Sequence, residues 1–329
     1  MTAIYISDAI HEDVMADIRK NADVLVGYGP DKVNYLDVSD TIDAVILRAE
    51  TFTRDMIEAS PRLKIIARHG VGTDNVDIPA ASKNGVWVTS TPGSNSNAVA
   101  EHVFALLLSL TRQIVPAANR VLDGTWAEGR GDLIGYELSG RTLGIVGFGA
   151  IGKRVAAIAK GFGMHVLASD PIATAEEAVA AGADLVELDT LYDGADIITL
   201  HAPLLPITRH MIGARELGLM KTTAVVLNTS RGGLIDEHAL VKALLAGDIA
   251  GAALDVLEAE SADMKDPLAQ NRVPFGEVPN LLVTPHVAGQ THEAFLAAGT
   301  KSWAEVQAVL AGENPTFPVN ANALRTVAA

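Results

Sequence analysis

Short apolar runs recur along the first ninety residues and alternate with segments of helical composition. The runs predict strands over residues 3–7, 24–28, 44–48, 64–68 and 86–90, and the composition between them predicts helices such as 53–60 and 78–84. Alternation of this kind is typical of a mostly parallel sheet with helices on both faces. The turn-rich residues 91–95 predict the end of this first unit.

A second series of apolar runs follows. Residues 98–122 predict one long helix that is apolar on nearly every face, which we expect to be buried between domains or subunits. Seven further strands are predicted over 143–147, 165–169, 185–188, 196–200, 224–228, 250–255 and 281–284. The last predicted helix, 292–311, follows the final strand, and we expect it to return to the first unit. The pattern therefore predicts an α/β fold with two doubly wound parallel-sheet domains.

Three glycines, Gly147, Gly149 and Gly152, lie between a predicted strand and a predicted helix. A G-x-G-x-x-G spacing in that context is typical of a dinucleotide site. The first glycine allows a tight turn, the second lets a pyrophosphate approach the backbone, and the third lets helix and strand pack closely. Ala150 and Ile151 fall in the first turn of the helix, where N–H groups and the positive end of the dipole favour phosphates.

Asp170 ends the next predicted strand, 18 residues after Gly152. An acidic residue at this place accepts hydrogen bonds from the ribose hydroxyls and would repel a 2′-phosphate. No arginine occurs in residues 171–174. The sequence therefore predicts NAD rather than NADP.

Composition excludes several other functions. The chain has no cysteine, which rules out disulfides, thiolate metal ligands and cysteine nucleophiles, and no metal site is predicted. Its net charge of −15 argues against nucleic acid and anionic membranes as partners. The longest apolar run, 103–110, is too short for the ~20 residues of a bilayer-spanning helix. Because no secretory signal opens the chain, we expect a cytoplasmic location.

Two residues at predicted strand ends could carry chemistry. Arg231 follows a buried strand, where ligands of open α/β sheets collect, and could bind a carboxylate in bidentate fashion or simply be a surface arginine. His286 follows the last strand and could exchange protons or be a satisfied core histidine. A carboxylate beside His286, from Asp255, Glu258 or Glu260, would stabilise the imidazolium.

Several motifs occur together in one order: Gly70-Val-Gly-Thr-Asp-Asn-Val-Asp77, Val99-Ala-Glu-His102, the three glycines, His201-Ala-Pro-Leu204, Ser230-Arg-Gly-Gly233, Ala253-Leu-Asp-Val256 and Thr284-Pro-His286. Over nearly its whole length the sequence resembles the D-isomer-specific 2-hydroxyacid dehydrogenase family. Within the family it resembles the D-3-phosphoglycerate dehydrogenases, in a short form expected to lack the regulatory domain. The resemblance implies a Rossmann NAD-binding domain, 98–289, inserted in a flavodoxin-like substrate-binding domain, 1–97 and 290–329.

The resemblance also implies roles for individual residues. Arg231 is expected to bind the substrate carboxylate, and His286 to act as acid and base. Glu260, five residues after Asp255, is expected to pair with His286. The substrate site is expected to contain Arg48, Val71, Gly72, Arg231 and His286. Cofactor contacts are expected from Gly147, Gly149, Ala150, Ile151, Gly152, Asp170, His201, Ala202, Pro203, Thr208, Thr229, Ser230, Arg231, Asp255, His286 and Gly289, with Asp255 at the nicotinamide end.

The implied activity is hydride transfer between NAD(H) and C2 of a small anionic 2-hydroxy or 2-oxo acid, of the 3-phosphoglycerate, glycerate or hydroxypyruvate, glyoxylate or sulfolactate type. Arg48, Arg68 and His69 could form a second anion site or be solvated strand ends. A homodimer through the helix at 98–122 is expected. Two alternatives stay open: an NAD-sensing, corepressor-like binding protein, and a formate dehydrogenase, against which Glu260 argues because a glutamine commonly replaces it there.

Overall fold

The structure is a computed structural model, and it describes residues 2–126, 130–261, 266–270, 275–278 and 280–327. The chain divides into two compact units. The first unit comprises Met1–Asn95 with Gln290–Ala329, and the second unit is Ser96–Gly289.

The first unit contains a parallel five-stranded sheet in the order β2-β1-β3-β4-β5. Its first segment has the strands and helices β1 Ala3–Ile6, α1 Glu12–Asn21, β2 Asp23–Val26, β3 Ala44–Leu47, α2 Arg54–Glu58, β4 Ile65–Arg68, α3 Ile78–Lys83 and β5 Trp87–Thr89. The two faces of the sheet pack into separate cores: Ile4 and Ile6 lie in one, while Tyr5 lies in the other with Tyr35 and Phe52. Because both faces are covered, β1 and β3 are apolar along their whole length.

The second unit contains a parallel seven-stranded sheet in the order β12-β11-β10-β9-β6-β7-β8. Its helices are α4 Ser96–Thr111, α5 Ile114–Leu122, α6 Ala150–Gly161, α7 Ala175–Ala181, α8 Leu188–Gly194, α9 Ala214–Leu219, α10 Glu237–Ala246 and α11 Pro267–Gln270. Its strands are β6 Thr142–Val146, β7 His165–Ser169, β8 Asp184–Leu185, β9 Ile197–Leu200, β10 Val225–Asn228, β11 Gly251–Leu254 and β12 Leu281–Val283. The predicted fold, two doubly wound parallel-sheet domains, is confirmed.

The chain then returns to the first unit. The helix α12, His292–Leu310, is followed by α13, Ala321–Val327. Trp303, Val306 and Val309 of α12 enter the same core as Ile4 and Ile6 of β1. The predicted return of the last helix to the first unit is therefore observed.

The prediction of one helix over residues 98–122 is wrong. The chain forms α4 and α5, bent by 64° from each other, with Gln113 between them at φ +54°. Pro116 explains the break, because in a continuous helix its ring would clash with the carbonyl of Arg112, whereas it is tolerated in the first turn of a new helix. Within the chain, α4 has many buried residues and α5 has none, and burial of this region between domains or subunits stays a prediction. Among the described residues no single helix is long and apolar enough to cross a membrane; α4 and α5 reach that length and composition only together.

Candidate active site

Four neighbouring strands of the second unit end at the same level. Leu200 of β9 and Leu254 of β11 are both in register with Asn228 of β10, and Val283 of β12 is in register with Leu254. The loops that follow these strands therefore start along one edge of the sheet. They bring together the segments that begin at His201, Thr229, Asp255 and Thr284, which are far apart in the sequence.

The glycine loop has the space that a dinucleotide needs. Gly147 has φ +92°, and a Cβ there would lie 2.6 Å from the carbonyl carbon of His201. A Cβ on Gly152 would overlap the carbonyl oxygen of Gly147, whereas no atom lies within 4 Å of the Cβ position on Gly149. Packing thus requires glycine at positions 147 and 152, and the space beside Gly149 is open to a ligand. The helix α6 begins at Ala150 with Gly149 as its N-cap, so its first N–H groups face that space without a side-chain cap.

Asp170 shapes the same loop. Its carboxylate accepts hydrogen bonds from the N–H groups of Phe148 at 2.7 Å, Ile172 at 2.7 Å and Ala173 at 3.0 Å. Burial acts to raise the pKa of Asp170, but these donors and the charge of Lys153 hold the pKa below its usual value. A fixed negative charge at this place disfavours a 2′-phosphate.

Two buried polar atoms at neighbouring strand ends have no hydrogen-bond partner among the described residues. They are Nδ1 of His201, after β9, and Oγ1 of Thr229, after β10. The other ring nitrogen of His201 lies 3.0 Å from Oγ1 of Thr199. Burial lowers the pKa of His201 to about 3, so the ring is neutral at pH 7. Unpaired buried polar atoms are costly, and a bound molecule with polar groups at this edge would satisfy them.

His286 and Glu260 are in direct contact. Nδ1 of His286 lies 2.7 Å from Oε2 of Glu260, and the other carboxylate oxygen accepts the N–H of Leu257 at 2.8 Å. His286 has φ +53°, a left-handed conformation that is unusual for any residue other than glycine and is often found at functional sites. The imidazole is 40% exposed, while the Glu260 side chain is 11% exposed. The Glu260 carboxylate is thus held against Nδ1 of the partly exposed His286 ring.

Asp255 holds the loop that carries His286. Its buried carboxylate accepts the hydroxyl of Thr284 at 2.6 Å and the N–H groups of Val287 at 2.9 Å and Ala288 at 2.8 Å. Its backbone carbonyl accepts the N–H of His286 at 2.8 Å. Burial acts to raise the pKa of Asp255, but the neighbouring imidazole of His102 and the hydrogen bonds from Thr284, Val287 and Ala288 lower the pKa below its usual value. The observed contacts of this carboxylate are within the chain, and its expected contact with a nicotinamide stays a prediction.

Arg231 begins a turn that packs directly on the Glu260 segment. Nη1 of Arg231 donates to the carbonyl of Ser230 at 2.8 Å, and the amide of Asn228 donates to the carbonyl of Arg231 at 2.8 Å. A Cβ on Gly232 would overlap the backbone of Leu257. The chain on either side of Arg231 is therefore supported by the strand end and by the turn that leads to Glu260.

Glu258, the third candidate carboxylate, points elsewhere. It is paired with the guanidinium of Arg209, and its Oε1 lies 3.0 Å from Nε2 of His210. Its N–H donates to Oε1 of the buried Glu237 at 2.6 Å. Of the three carboxylates that the sequence left open as a partner of His286, the structure brings Glu260 to the imidazole.

The remaining predicted cofactor residues of the second unit lie in two loops. Thr208 closes the loop that contains Ala202 and Pro203, because its hydroxyl donates to the carbonyl of Pro203 at 2.7 Å and accepts the N–H of Leu205 at 2.8 Å. Gly289 is the last residue of the second unit.

The predicted substrate residues of the first unit lie just after β3 and β4. The guanidinium carbon of Arg48 lies 4.6 Å from the ring centroid of Phe295. Nε2 of His69 lies 3.3 Å from the carbonyl of Phe295. Burial, and then the charges of Arg48 and Arg68, lower the pKa of His69 to about 4, although hydrogen bonds to backbone groups act to raise it. Val71 and Gly72 follow in the adjoining loop, where Val71 is exposed.

The second unit matches the model of the D-isomer-specific 2-hydroxyacid dehydrogenase family, NAD-binding domain, over residues 104–288. The chain belongs to this family. It is 40% identical over 321 residues to a D-3-phosphoglycerate dehydrogenase of Synechocystis sp., covering 97% of this chain and 56% of that protein. It is 41% identical over 289 residues to a glyoxylate reductase of Thermococcus litoralis, covering 86% of this chain and 85% of that protein.

Solved structures of the family have the same fold. The NAD-complexed family member from Lactobacillus delbrueckii ssp. bulgaricus has a TM-score of 0.78 and 28% identity, covering 97% of this chain and 100% of that one. The cofactor of the family domain in this chain is NAD, in agreement with the prediction from Asp170. The chain spans little more than half the length of the phosphoglycerate dehydrogenases it matches, 56% and 60%.

One residue of the family-like motifs has contacts that the sequence did not indicate. Nε2 of His102, on α4, lies 3.3 Å from Oγ1 of Thr284 and 3.6 Å from Oδ1 of Asp255. His102 belongs to the family-like Val-Ala-Glu-His segment, but the residues that it contacts lie more than 150 positions further along the sequence. Only the fold brings them together.

Gly232 provides a test of how this family site is supported. In Gly232→Ala the new methyl group would displace the turn at Leu257, so we expect a loss of ~2–3 kcal/mol in the free energy of unfolding and a fall in any turnover that depends on Glu260. Urea denaturation measures the first effect. Gly161→Ala is the matched control, because no atom lies within 4 Å of its Cβ position. Equal stability of the two variants would contradict the assigned packing.

Proposed function

We propose that this chain is an NAD-dependent dehydrogenase that interconverts a small 2-hydroxy acid and the corresponding 2-oxo acid. The observation that carries the proposal is the 2.7 Å contact between Nδ1 of His286 and Glu260, at the same strand edge as the segment of Arg231. Family membership and the open glycine loop support it. When bound, NAD supplies the carbon that accepts or returns the hydride.

His286 is the proposed acid and base. Because Nδ1 contacts the Glu260 carboxylate, Nε2 is the nitrogen that would exchange the proton with the substrate oxygen. In the oxidative direction Nε2 takes the hydroxyl proton, and in the reductive direction it returns a proton to the carbonyl oxygen. Glu260 stabilises the imidazolium that forms in between, since a carboxylate next to an imidazole favours the charged ring.

Arg231 is the proposed ligand of the substrate carboxylate. A guanidinium is permanently charged and planar, so it can bind a carboxylate through two parallel hydrogen bonds and fix the orientation of the acid. Because the Gly232 turn packs on Leu257, a fixed Arg231 backbone also fixes the backbone that leads to Glu260. The packing of Gly232 on Leu257 would then position both the group that binds the substrate carboxylate and the glutamate that pairs with His286.

The first unit is proposed to select the rest of the substrate. Arg48 stacks on Phe295, and Nε of Arg68 donates to Oδ1 of Asn75 at 2.9 Å, so both cations have defined positions. Together with the exposed loop of Val71 and Gly72, these arginines are the anion-binding groups that we propose for the first unit. The proposed ligand is a small 2-oxo acid, with preference for one that carries a second anionic group.

The proposed assembly is a homodimer formed by α5. Ile114, Val115, Val121 and Leu122 are all exposed, and the exposed fraction of Leu122 reaches 83%. Their spacing of seven residues, Ile114 to Val121 and Val115 to Leu122, places them on one face of α5, and an exposed apolar patch on a folded unit marks an interaction site. The same patch on a second copy is chemically complementary to it, as a twofold interface requires. The proposed partners are therefore a small anionic acid and a second copy of the chain, and the cytoplasmic location stays a prediction.

His286→Asn tests the proton transfer. We expect turnover of a 2-oxo acid with NADH to fall by roughly 10²- to 10⁴-fold, the usual contribution of a general acid, while the NADH dissociation constant stays close to that of the wild type. Steady-state absorbance at the NADH band and NADH fluorescence titration measure the two quantities. His165→Asn, at the exposed start of β7, is the control. Wild-type turnover in His286→Asn would refute the assignment.

A panel of 2-oxo acids tests the substrate class: glyoxylate, hydroxypyruvate, 3-phosphohydroxypyruvate and sulfopyruvate. We expect the highest kcat/KM for an acid with a second anion, and we expect Arg48→Leu to abolish that preference while sparing glyoxylate. Arg54→Leu, an exposed arginine paired with Asp77, is the control. An equal loss for every substrate would show that Arg48 does not read the second anion. Tight NADH binding without turnover would favour the sensor alternative, and oxidation of formate would favour formate dehydrogenase.

Leu122→Lys tests the dimer. A buried lysine at the centre of an apolar interface is destabilising, so we expect sedimentation velocity to show a dimer for the wild type and a monomer for the variant. Val179→Lys, at an exposed position on α7, should keep the mass of the wild type. A wild-type protein that sediments as a monomer at all concentrations would contradict the proposal.

A further inference from the structure

We propose that His102 is a positioning residue for His286: through Thr284 and Asp255 it holds the loop of residues 284–288 so that the imidazole of His286 meets Glu260. The proposal rests on the proposed function of His286. It assigns a role to a residue of the Val-Ala-Glu-His segment that neither the cofactor nor the substrate accounts for. All of the residues involved belong to the second unit.

The direction of the hydrogen bonds follows from the chemistry of Thr284. Its hydroxyl has a single proton, which goes to Oδ1 of Asp255 at 2.6 Å, because an ionised carboxylate can only accept. The same Oγ1 must therefore accept from Nε2 of His102, 3.3 Å away. This fixes the proton of a neutral His102 on Nε2. The result is an ordered chain in which His102 donates to Thr284 and Thr284 donates to Asp255.

Asp255, the last member of this series of hydrogen bonds, holds the backbone around His286. Asp255 accepts the N–H groups of Val287 and Ala288, the two residues that follow His286. Those contacts impose the left-handed φ of +53° on His286. A strained backbone persists only where its surroundings over-determine it. If Asp255 turned away, the loop would relax and the imidazole would leave Glu260.

His102 keeps Asp255 from turning. The carboxylate is fully buried, and Nε2 of His102 lies 3.6 Å from its Oδ1, so the N–H that Thr284 accepts also lies next to a charge that water does not reach. The side chain of His102 is 21% exposed, so most of its surface is packed. A role in packing alone requires only volume, whereas the proposed role requires an N–H at the position of Nε2. The two roles can be separated by substitution.

The test compares His102→Leu, which keeps most of the volume, with His102→Gln, which keeps a donor. With the 2-oxo acid that the wild type reduces best, we expect His102→Leu to lower kcat roughly 10- to 100-fold, as displacement of a catalytic group by an ångström does. KM and the NADH dissociation constant should change less than about threefold. His102→Gln should recover most of the lost kcat. His165→Leu is the control for loss of a histidine elsewhere in the unit.

A double-mutant cycle with Thr284→Val locates the effect. If His102 acts through Thr284, the kcat losses of the two single variants should not add in the double variant. Additive losses would show that His102 does not act through Thr284 and would overturn the proposal. So would a wild-type kcat in His102→Leu, or an equal loss in His102→Leu and His102→Gln.

Histidine ring resonances give a readout that does not need activity. In protein labelled with ¹⁵N-histidine, the signals of His286 are identified by their disappearance in His286→Asn. We expect His102→Leu to shift or broaden them, and His165→Leu to leave them unchanged. If the wild type reduces no 2-oxo acid, the proposed function fails, and this measurement still decides the positioning role. Unshifted His286 signals in His102→Leu would overturn it.

Discussion

The parallel register of β9, β10, β11 and β12 is the constraint on which the candidate site depends. The strands β9, β10 and β11 are buried along their whole length, and their side chains are apolar except for Thr199 and the terminal Asn228. Most of the polar side chains of the candidate site therefore lie where the strands end. Since the strands end at matched residues, His201, Thr229, Asp255 and Thr284 start their loops side by side. Residues that are 85 positions apart in the sequence, such as His201 and His286, thus reach one edge of the sheet.

The conformation of His286 shows how this edge supports a strained residue. A left-handed backbone costs ~1–3 kcal/mol for a residue other than glycine. Hydrogen bonds to a charged group contribute ~1.5–3 kcal/mol each, and Asp255 makes two of them to the loop and a third to Thr284. The hydrogen bonds outweigh the strain, so the loop keeps this conformation. A site assembled at strand ends can in this way hold a side chain in a direction that its own backbone preference would not select.

The elements that depend on local pattern were predictable from the sequence. Apolar runs of the right length gave the strands, and the glycine spacing acquires its meaning from the strand before it and Asp170 after it. The break between α4 and α5 also had a local signal, Pro116, but the apolar composition around it outweighed that signal in the prediction. The partner of His286 had no such signal. Glu258 and Glu260 are two residues apart in one tight turn, and their directions depend on the partners, Arg209 and Leu257, that the folded chain supplies. The contacts of His102 depend on the fold in the same way.

Asp255 and Glu260 are two carboxylates at one edge whose environments give them different tasks. Asp255 is fully buried, and its carboxylate oxygens accept hydrogen bonds from the groups that hold the loop. Glu260 gives one oxygen to the N–H of Leu257 and the other to His286, and it keeps some contact with solvent. Its carboxylate is therefore the one in contact with the ring of His286. Burial and the number of hydrogen-bond donors thus separate a structural carboxylate from the one that faces the histidine. Here the register of the sheet provides both environments within a single loop cluster.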